Sequence, residues 1–506
     1  MSPEARAEHD GMVRLLTDRW ALPEPKPSIN RIMGYAMNDS KRGILAEEPH
    51  EITDLVVSKI GRIVSDHPSN LAKFDKEYVE EWFVIMGFQW EHAAEQFAAQ
   101  DFEVAAGASG EAHVVEGTME LDYLNFAGRA PIPAYTGVDV QPEVISRLRA
   151  MKPDRFLVVT DEAVEQHYSS YLDALGADGT PVHKYVLPCG DQCKAMKHLL
   201  GLIDWSFERG GTRSSVVVGF GGGALMNITG LFAGIVYRGF RLVYVPTTLL
   251  AMHDVTTSLK TSICHWGRKN NIGIYYAPTL ILMDLAFCRT LPQDELLSGL
   301  GELCKNAALF GGDHAKGFVE AFSKDVLNEC CGGAAESLTL EDQDLVKLTR
   351  LGVRAKMDIL CVDATENLQG MVFEYGHTFS HAMEKAYGDG KIPHGIGVCY
   401  GMLCSSYVAE KIGIMSADAR AEHDAMVRLL TDRWALPEPK PSISKVMGYA
   451  MNDSKRGILE EEAHEITDLV VSRIGQIVSD HPSNLAKFDK KYVEEWFEQM
   501  GFPWEQ

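Results

Sequence analysis

Residues 216–227 read VVVGFGGGALMN, an apolar run that begins with valines and carries three consecutive glycines, Gly221, Gly222 and Gly223. The branched side chains favour a buried strand, and the apolar residues after the glycines predict a buried helix. Glycine lets the backbone approach a phosphate closely, and a helix N-terminus supplies N–H groups and positive potential. The stretch predicts a strand–turn–helix unit. Because it lacks the GxGxxG spacing, the glycine run does not by itself identify a dinucleotide site.

Further short apolar strands lie on both sides of this unit. The segments RFLVVTD (155–161) and RLVYVP (241–246) alternate with helical stretches, a pattern typical of a mostly parallel sheet. After about residue 291 the apolar spacing predicts helices throughout. We therefore expect an α/β domain over residues 105–290 and an all-helical domain over residues 291–506.

A long duplication frames these two regions. Residues 1–91 match residues 415–505 at a constant offset and differ at 14 of 91 positions. The runs HEITDLVVSKIGRIVSDH (50–67) and KEYVEEWFVIMGF (76–88) have apolar residues at helical spacing, which predicts a helical module over residues 1–100. The first copy is either a remnant of tandem duplication or a regulatory or dimer-forming element.

Composition limits the classes of partner. A net charge of −23 argues against general binding to nucleic acid or to anionic membranes, so an anionic substrate needs a local cationic pocket. The uncharged run from Val216 to Tyr237 is long enough to cross a bilayer, but its glycines, Asn227 and Thr229 favour a buried strand and helix. The charged N-terminus and ten cysteines without a CxxC pair indicate a cytoplasmic protein with reduced thiols.

Histidines and acidic residues occur at spacings that suit a metal. In FEYGHTFSHA (373–382), a helix would place His377 and His381 on one face, with Glu374 about one turn earlier. Such a pair could bind a metal, transfer a proton or satisfy a buried polar patch. Two more candidates are Glu302 in DELLSGLGELCKNAAL (294–309) and His394 in IPHGIGV. Together with His377 they would form a set of two imidazoles and one carboxylate, which suits catalytic zinc.

Cationic residues follow the glycine run. Arg238, Lys260 and Lys269 lie near Asp254 and Asn270 in an otherwise apolar segment, and in so acidic a chain they indicate an anion site such as one for phosphate. Surface lysines on loops are the alternative. Lys305 shares a helix face with Glu302.

Together and in this order, these motifs resemble the sugar phosphate cyclases, the dehydroquinate synthase-like superfamily, over about residues 115–506. The segments VPTTLLA (245–251), GELCKN (301–306), FEYGHT (373–378) and NDSKRG (452–457) carry the resemblance. It implies an NAD-binding α/β domain, a helical domain that binds a divalent metal (zinc or cobalt), and a homodimer. The implied reaction oxidises a sugar hydroxyl with NAD, eliminates phosphate, reduces the ketone again and closes a carbocycle by an intramolecular aldol step.

The resemblance also implies roles for individual residues. The metal ligands would be Glu302, His377 and His394, and proton transfer would fall to Glu366 and His381. Contacts to the cofactor would come from Asp161, Asp191, Lys194, Gly221, Gly222, Gly223, Ala224, Thr247, Thr248, Phe287 and Thr290. Polar residues around the substrate and the nicotinamide would be Arg238, Asp254, Lys260, Lys269, Asn270, Lys305 and Lys356, with Lys455 near the phosphate.

Glu374 bears on which sugar phosphate is used. Dehydroquinate synthases usually have asparagine at this position and, where Gly370 stands, an arginine that binds the substrate carboxylate. A neutral sugar lacks that carboxylate, and its hydroxyls can donate to a glutamate. The chain therefore resembles the 2-deoxy-scyllo-inosose synthase branch, which acts on glucose 6-phosphate. The alternatives are dehydroquinate synthase, sedoheptulose 7-phosphate cyclase and a polyol dehydrogenase related to glycerol dehydrogenase. Ile396 and Arg268 depart from the family pattern, and Ile396 puts the support of His394 in doubt.

Overall fold

The computed structural model describes residues 51–55, 57–59, 62–63, 71–75, 119–126, 129–266, 268–323, 340–366, 369–388, 390–452, 459, 462–478 and 485–505. The chain divides into two compact units, residues 1–111 and residues 112–506. In the first unit β1 (Glu51–Leu55) pairs with β4 (Leu71–Asp75), and β2 (Val57–Lys59) pairs with β3 (Arg62–Ile63), both antiparallel.

A seven-stranded sheet, counted over the described residues, organises the first half of the second unit. Its strands are β5 (Glu120–Leu124), β6 (Ile132–Gly137), β7 (Phe156–Asp161), β8 (Val182–Leu187), β9 (Val216–Gly221), β10 (Arg241–Pro246) and β13 (Leu280–Asp284). Their order is β5-β6-β13-β10-β9-β7-β8, and every pairing is parallel except β5 with β6. The mostly parallel sheet predicted from the sequence is confirmed.

The central strands β7, β9 and β10 are buried along almost their whole length. A parallel strand covered on both faces needs such a continuous apolar run, which the valine-rich sequences provide. The covering helices are α1 (Gln141–Ala150), α2 (Glu162–Tyr168), α3 (Met196–Glu208) and α4 (Gly223–Ile235). An antiparallel hairpin, β11 (Lys260–His265) and β12 (Arg268–Tyr275), leaves the sheet between β10 and β13.

Helices dominate the second half of this unit. They are α5 (Gln293–Phe310), α6 (Gly312–Ser323), α7 (Asp342–Leu360), α8 (His377–Tyr387), α9 (His394–Lys411), α10 (Ala417–Thr431), α11 (Ile443–Ala450) and α12 (Lys491–Gln499). Helix α9 is buried from Gly395 to Ala409 and packs against α5, α8 and α10, so it forms the centre of the helical core.

Glycines allow α9 to contact its neighbours through the backbone. A Cβ atom at Gly301 on α5 would overlap the carbonyl group of Gly395 on α9, and one at Gly401 would overlap the carbonyl oxygen of Gly376, just before α8. Gly376 also has a φ of 77°, a conformation that side chains rarely adopt. These contacts lie beside Glu302, His394 and His377, so they bring the three helices together where those side chains meet.

The prediction that residues 291–506 are all helical is wrong for the second copy of the repeat. Its run HEITDLVVSRIGQIV forms β14 (Glu465–Leu469), β15 (Val471–Arg473) and β16 (Gln476–Ile477), and β14 pairs with β17 (Leu485–Asp489). The first copy has the same four strands at the same offset, so the helix predicted over residues 50–67 is also wrong. The apolar residues mimic helical spacing, but β-branched residues and a turn at Gly475, with φ 79°, favour hairpins.

Differences between the two copies are concentrated at the surface of the second. Of the 14 differing positions, 13 lie in described residues, and 11 of these are exposed in the second copy. Among the described positions, Val446, which is isoleucine in the first copy, is the one fully buried difference. The first copy has therefore kept almost every residue that the second copy buries.

Within the described residues, no helix is long and apolar enough to cross a membrane. The uncharged run from Val216 instead forms strand β9 and helix α4, as the sequence predicts.

Candidate active site

Three side chains from three helices converge beside the central helix α9. Glu302 lies in the middle of α5, whereas His377 and His394 are the first residues of α8 and α9. One ligand atom from each lies within 4.8 Å of the others. The Oε1 atom of Glu302 is 3.3 Å from Nε2 of His377 and 3.5 Å from Nε2 of His394. The structure thus brings together the three residues predicted to bind a metal.

Both imidazoles are oriented through their second nitrogen. Nδ1 of His377 lies 3.2 Å from the carbonyl oxygen of Tyr375, and Nδ1 of His394 lies 2.9 Å from Oε1 of Glu384. Each acceptor takes the Nδ1 proton in a hydrogen bond, so Nε2 is the nitrogen that faces Glu302, and a metal that binds there would displace any proton on it. Within the described part of the chain, Oε1 of Glu302 is buried and has no hydrogen-bond partner. This donor set fits a divalent metal.

The electrostatics of this set favour a cation. Burial acts to raise the pKa of Glu302, but the Lys305 ammonium and the His377 imidazole lower the pKa well below its usual range. Burial acts to lower the pKa of His394, but the neighbouring carboxylates of Glu302 and Glu384 raise the pKa to about 10. The two carboxylates therefore attract positive charge strongly into the site.

A cleft of about 600 Å³ lies beside these three residues. It is lined by both the α/β region and the helical region, and its walls include eight side chains predicted from the sequence: Asp254, Lys260, Asn270, Lys305, Lys356, Glu366, Glu374 and His377. The polar side chains of Asn227, Ser258 and Ser262 also line it. A cleft of this size can hold a phosphorylated sugar.

Each of three lysines in the cleft pairs with a carboxylate. Lys305 bonds to Glu302, Lys356 lies 2.8 Å from Asp254, and Lys260 lies 2.8 Å from Glu366. Burial opposes the charge of Lys356, but the carboxylates of Asp254 and Glu366 raise its pKa above the usual range. The cleft therefore keeps the buried ammonium group of Lys356 charged.

Glu366 is held in a strained and well-defined position. Its backbone φ is 56°, which is rare for a residue other than glycine, and Ser258 Oγ donates to its carboxylate at 2.6 Å. Burial acts to raise the pKa of Glu366, but Lys356 and Lys260 lower it, so the carboxylate is ionised at neutral pH. Such strain is common at functional sites.

His381 lies one turn after His377, with its ring centroid 5.3 Å from that of His377 and 6.0 Å from that of His394. Burial and the neighbouring imidazoles lower the pKa of His381 to about 4, so the ring is neutral at pH 7. Glu374 is not in the same helix, because it ends a 3₁₀ turn and Gly376 separates it from α8. The sequence prediction of one continuous helix is wrong here, although Glu374 still faces the cleft.

The residues predicted to contact the cofactor lie at the carboxyl ends of the central strands. Asp161 ends β7 and accepts hydrogen bonds from the N–H groups of Ala163 and Val164, both at 3.0 Å. Gly222 precedes α4, and a Cβ there would lie 3.1 Å from the methyl group of Thr248. The amide of Thr247 donates to the carbonyl of Gly221 at 2.8 Å. Ala224 lies in the first turn of α4.

A second group of these residues lies around the β11–β12 hairpin. Lys194 donates to the side-chain oxygen of Asn270, and Lys269 lies 3.0 Å from Asp191. Ser262 donates at 3.2 Å to both Asn227 and Asn270, which connects the helix after the glycine turn to the cleft. The hairpin therefore links the predicted cofactor residues to the predicted substrate residues.

The predicted residues Arg238, Phe287 and Thr290 are not among those that line the cleft. Arg238 is exposed on a turn with φ 62°. Phe287 is 1% exposed and packs among Tyr168, Tyr171 and Phe220, while Thr290 hydrogen-bonds to Tyr168. Lys455 lies outside the described residues. Cys304, two residues after Glu302 on α5, is fully buried.

Glu384 was missed from the sequence. It lies seven residues after His377 and three after His381, so its spacing on α8 could have indicated the same helix face. Burial acts to raise the pKa of Glu384, but its hydrogen bond to His394 lowers the pKa. The sequence put the support of His394 in doubt because isoleucine stands at position 396, and Ile396 is indeed fully buried. Glu384 supplies that support instead.

Comparison with known proteins identifies the family of this chain. The family model of the 3-dehydroquinate synthase N-terminal domain matches residues 184–298, and that of the C-terminal domain matches residues 299–456. A 2-deoxy-scyllo-inosose synthase of Streptomyces fradiae is 33% identical over 350 residues, which covers 69% of this chain and 78% of that protein. A 2-deoxy-scyllo-inosose synthase of Streptomyces ribosidificus is also 33% identical, over 71% of this chain and 88% of that protein.

Solved structures show the same fold. The crystal structure of a 2-deoxy-scyllo-inosose synthase complexed with carbaglucose-6-phosphate, NAD⁺ and Co²⁺ matches with a TM-score of 0.66 at 25% identity, covering 75% of this chain and all of that chain. The 2-epi-5-epi-valiolone synthase of Streptomyces hygroscopicus subsp. jinggangensis, with NAD⁺ and Zn²⁺ bound, has a TM-score of 0.58 at 22% identity, covering 71% of this chain and 94% of that chain. The chain therefore belongs to the dehydroquinate synthase-like family of sugar phosphate cyclases.

Proposed function

We propose that this protein converts glucose 6-phosphate to 2-deoxy-scyllo-inosose with elimination of phosphate, using NAD and one zinc or cobalt ion. The relatives that carry this activity in their names are about one-third identical over most of their length. The observation that carries the proposal is the carboxylate of Glu374 in a cleft that also contains three lysines and His377.

Glu302, His377 and His394 would hold the metal. Two imidazoles and one carboxylate leave coordination positions for substrate oxygens, as in catalytic metal sites. The residues around the Gly221–Gly223 turn would hold NAD, because the N-terminus of α4 and the absence of side chains at the glycines suit a pyrophosphate. When bound, the metal polarises a substrate hydroxyl or carbonyl oxygen and NAD accepts and returns a hydride.

The chain supplies groups that can move protons near these sites. Glu366 is ionised, and Ser258 and Lys260 fix its two carboxylate oxygens, so it can accept a proton at a defined position. His381 is neutral at pH 7 and can act in the same way beside the metal ligands. Lys356 and Lys305, both buried and cationic, would stabilise negative charge that develops on substrate oxygens.

The negative charge of Glu374 supports a substrate whose sugar ring carries no carboxylate. A carboxylate accepts hydrogen bonds from hydroxyl groups and repels another carboxylate, so the substrate of a dehydroquinate synthase would be disfavoured beside Glu374. The lysines of the cleft provide the counter-charge for the phosphate group. We also expect the active protein to be a cytoplasmic homodimer.

The test measures phosphate release by the purified protein with NAD and Zn²⁺ or Co²⁺. Glucose 6-phosphate, the seven-carbon precursor of dehydroquinate and sedoheptulose 7-phosphate are offered separately. We expect release from glucose 6-phosphate without net NADH, and loss of release in His377→Ala. Release from another sugar alone would contradict the assigned substrate, and steady NADH formation from an unphosphorylated polyol would indicate a dehydrogenase.

A further inference from the structure

A buried polar network lies behind His377, on the side away from the cleft. The imidazole of His377 is oriented by the carbonyl oxygen of Tyr375, two residues earlier. The tyrosine side chain is fully buried, and its hydroxyl lies 3.1 Å from Nε2 of His423 on α10. The hydroxyl contact therefore fixes the residue whose backbone orients the proposed ligand.

The direction of this hydrogen bond follows from the next partner. Nδ1 of His423 lies 2.9 Å from Oδ1 of Asp424, which also accepts from Ser406 Oγ at 2.6 Å. Because an ionised carboxylate only accepts, the His423 proton lies on Nδ1 and the Tyr375 hydroxyl donates to Nε2. Arg420 lies 3.3 Å from the other oxygen of Asp424. The polar network thus extends from the Tyr375 hydroxyl through His423 and Asp424 to the ion pair with Arg420.

A parallel contact holds the other side of His377. Thr378 Oγ1 donates to Asp468 Oδ1 at 2.8 Å, and Ser405 on α9 donates to Oδ2 at 2.9 Å. Asp468 on β14 and His423 on α10 are both fully buried, and both belong to the second copy of the repeat. This copy therefore holds the backbone on both sides of the proposed metal ligand.

We propose that His423 is a positioning residue for the metal site, acting through the Tyr375 hydroxyl to fix the carbonyl group that orients His377. The inference rests on the proposed function of His377 as a ligand. A group that hydrogen-bonds directly to a metal ligand typically changes metal affinity by about 10–100-fold when it is removed, and we expect the lower end for His423 because it acts through Tyr375.

The test compares zinc affinity, measured by competition with a chromophoric chelator, and the visible spectrum of the cobalt-loaded protein. His423→Leu and Tyr375→Phe should each weaken zinc binding by about tenfold and alter the cobalt spectrum. The double variant should be no weaker than the single ones, because both remove the same contact. His423→Gln, whose amide can again accept from the Tyr375 hydroxyl, should restore affinity to within about threefold of the parent.

Tyr400→Phe is the matched control. Tyr400 also joins α9 to the second copy, through a 3.1 Å hydrogen bond to the carbonyl oxygen of Trp434, but it does not contact a ligand of the proposed site. It should lower stability and leave zinc affinity unchanged. Unchanged affinity in both His423→Leu and Tyr375→Phe, or an equal loss in Tyr400→Phe, would overturn the positioning role while leaving the metal site in place. Full zinc binding by His377→Ala would instead overturn the metal site and the inference with it.

Discussion

At the scale of single residues, the side chains of Glu302, His377 and His394 come from three different helices and place their ligand atoms within 4.8 Å of one another. The motifs containing Glu302, His377 and His394 predict a metal site, and the structure brings those three side chains together. The spacing of Glu384 places it on the helix face of His377 and His381, but its partner His394 begins another helix, so the sequence alone did not show their contact. The pairing of Lys356 with Asp254 was likewise beyond the sequence, since it joins residues that are far apart in the chain.

Glu374→Gln should reduce phosphate release from glucose 6-phosphate by at least about tenfold, because the neutral amide is a weaker acceptor for sugar hydroxyls. Binding of NAD should stay within about twofold of the parent, since Glu374 lies at the cleft and not beside Gly222. Steady-state phosphate release and NAD fluorescence titration provide the two measurements. Turnover equal to that of the parent would remove Glu374 from the specificity argument.

His253 should make the folded state sensitive to mild acid. It is fully buried, its Nε2 lies 3.0 Å from the carbonyl oxygen of Gly299, and burial lowers its pKa from 6.5 to about 4. Between these values the unfolded chain binds a proton that the folded chain does not. Stability from this group is therefore complete above pH 6.5 and decreases by about 1.4 kcal/mol per pH unit down to about pH 4.

Urea unfolding of the parent and of His253→Gln from pH 4 to pH 8 checks this expectation. Glutamine keeps a donor for the Gly299 carbonyl but cannot be protonated, so its free energy of unfolding should decrease less steeply below pH 6.5. Other buried histidines contribute equally to both proteins, and the comparison isolates His253. Identical slopes in the two proteins would show that His253 does not titrate as described.

At the scale of elements, the spacing of apolar residues and the amino-acid composition predicted the strands of the seven-stranded sheet but not the hairpins of the repeat. Strands such as β9 have continuous buried runs that end in turn residues, and no helical interpretation competes with them. In β14 and the residue after it, the spacing of Ile466, Leu469 and Val470 imitates one face of a helix. The pairing of β14 with β17 decided the outcome, and pairing between distant segments is not visible in one sequence.

Gly301→Ala tests the close contact between α5 and α9. The added methyl group would overlap the backbone of Gly395, so the helices must separate at a cost of about 3 kcal/mol or more. Glu302 directly follows Gly301, and His394 directly precedes Gly395. Separation of the two helices should therefore move both proposed ligands and lower zinc affinity as well. Thermal unfolding and chelator competition measure the two effects.

Gly448→Ala is the control for that variant. Gly448 lies within α11, and a Cβ there would have nothing within 4 Å. Alanine should therefore stabilise the helix by about 0.5–1 kcal/mol without changing zinc affinity. A loss of stability in Gly301→Ala no larger than about 0.5 kcal/mol would contradict the tight crossing.

At the scale of the whole molecule, the two copies of the repeat should have different importance. The second copy provides His423 and Asp468, which are buried against Tyr375 and Thr378, and it contributes the strands β14–β17 to the second unit. The first copy belongs to a separate compact unit. The sequence shows that the copies are alike, but only the structure shows which buried contacts the second one makes.

Deletion of residues 1–100 should leave a soluble protein with the zinc affinity and turnover of the parent. Deletion of residues 415–506 should abolish cooperative unfolding, because it removes buried partners from α8 and α9. The two deleted segments are nearly identical in sequence. A difference between the two deletions must therefore come from where each copy lies in the chain and not from its amino-acid composition. Circular dichroism, thermal unfolding and phosphate release distinguish the outcomes. An insoluble product of the first deletion would mean that the first copy is structurally required.

The backbone contact between Gly301 and Gly395 affects how this protein can change over evolutionary time. The separation between α5 and α9 at the proposed metal ligands is set by main-chain atoms, which every sequence shares, and not by the volumes of neighbouring side chains. Apolar residues elsewhere in the helical core can therefore be exchanged without altering the spacing of Glu302 and His394. Descendants of this chain could diverge widely in their cores and keep one metal geometry, provided that they retain these two glycines.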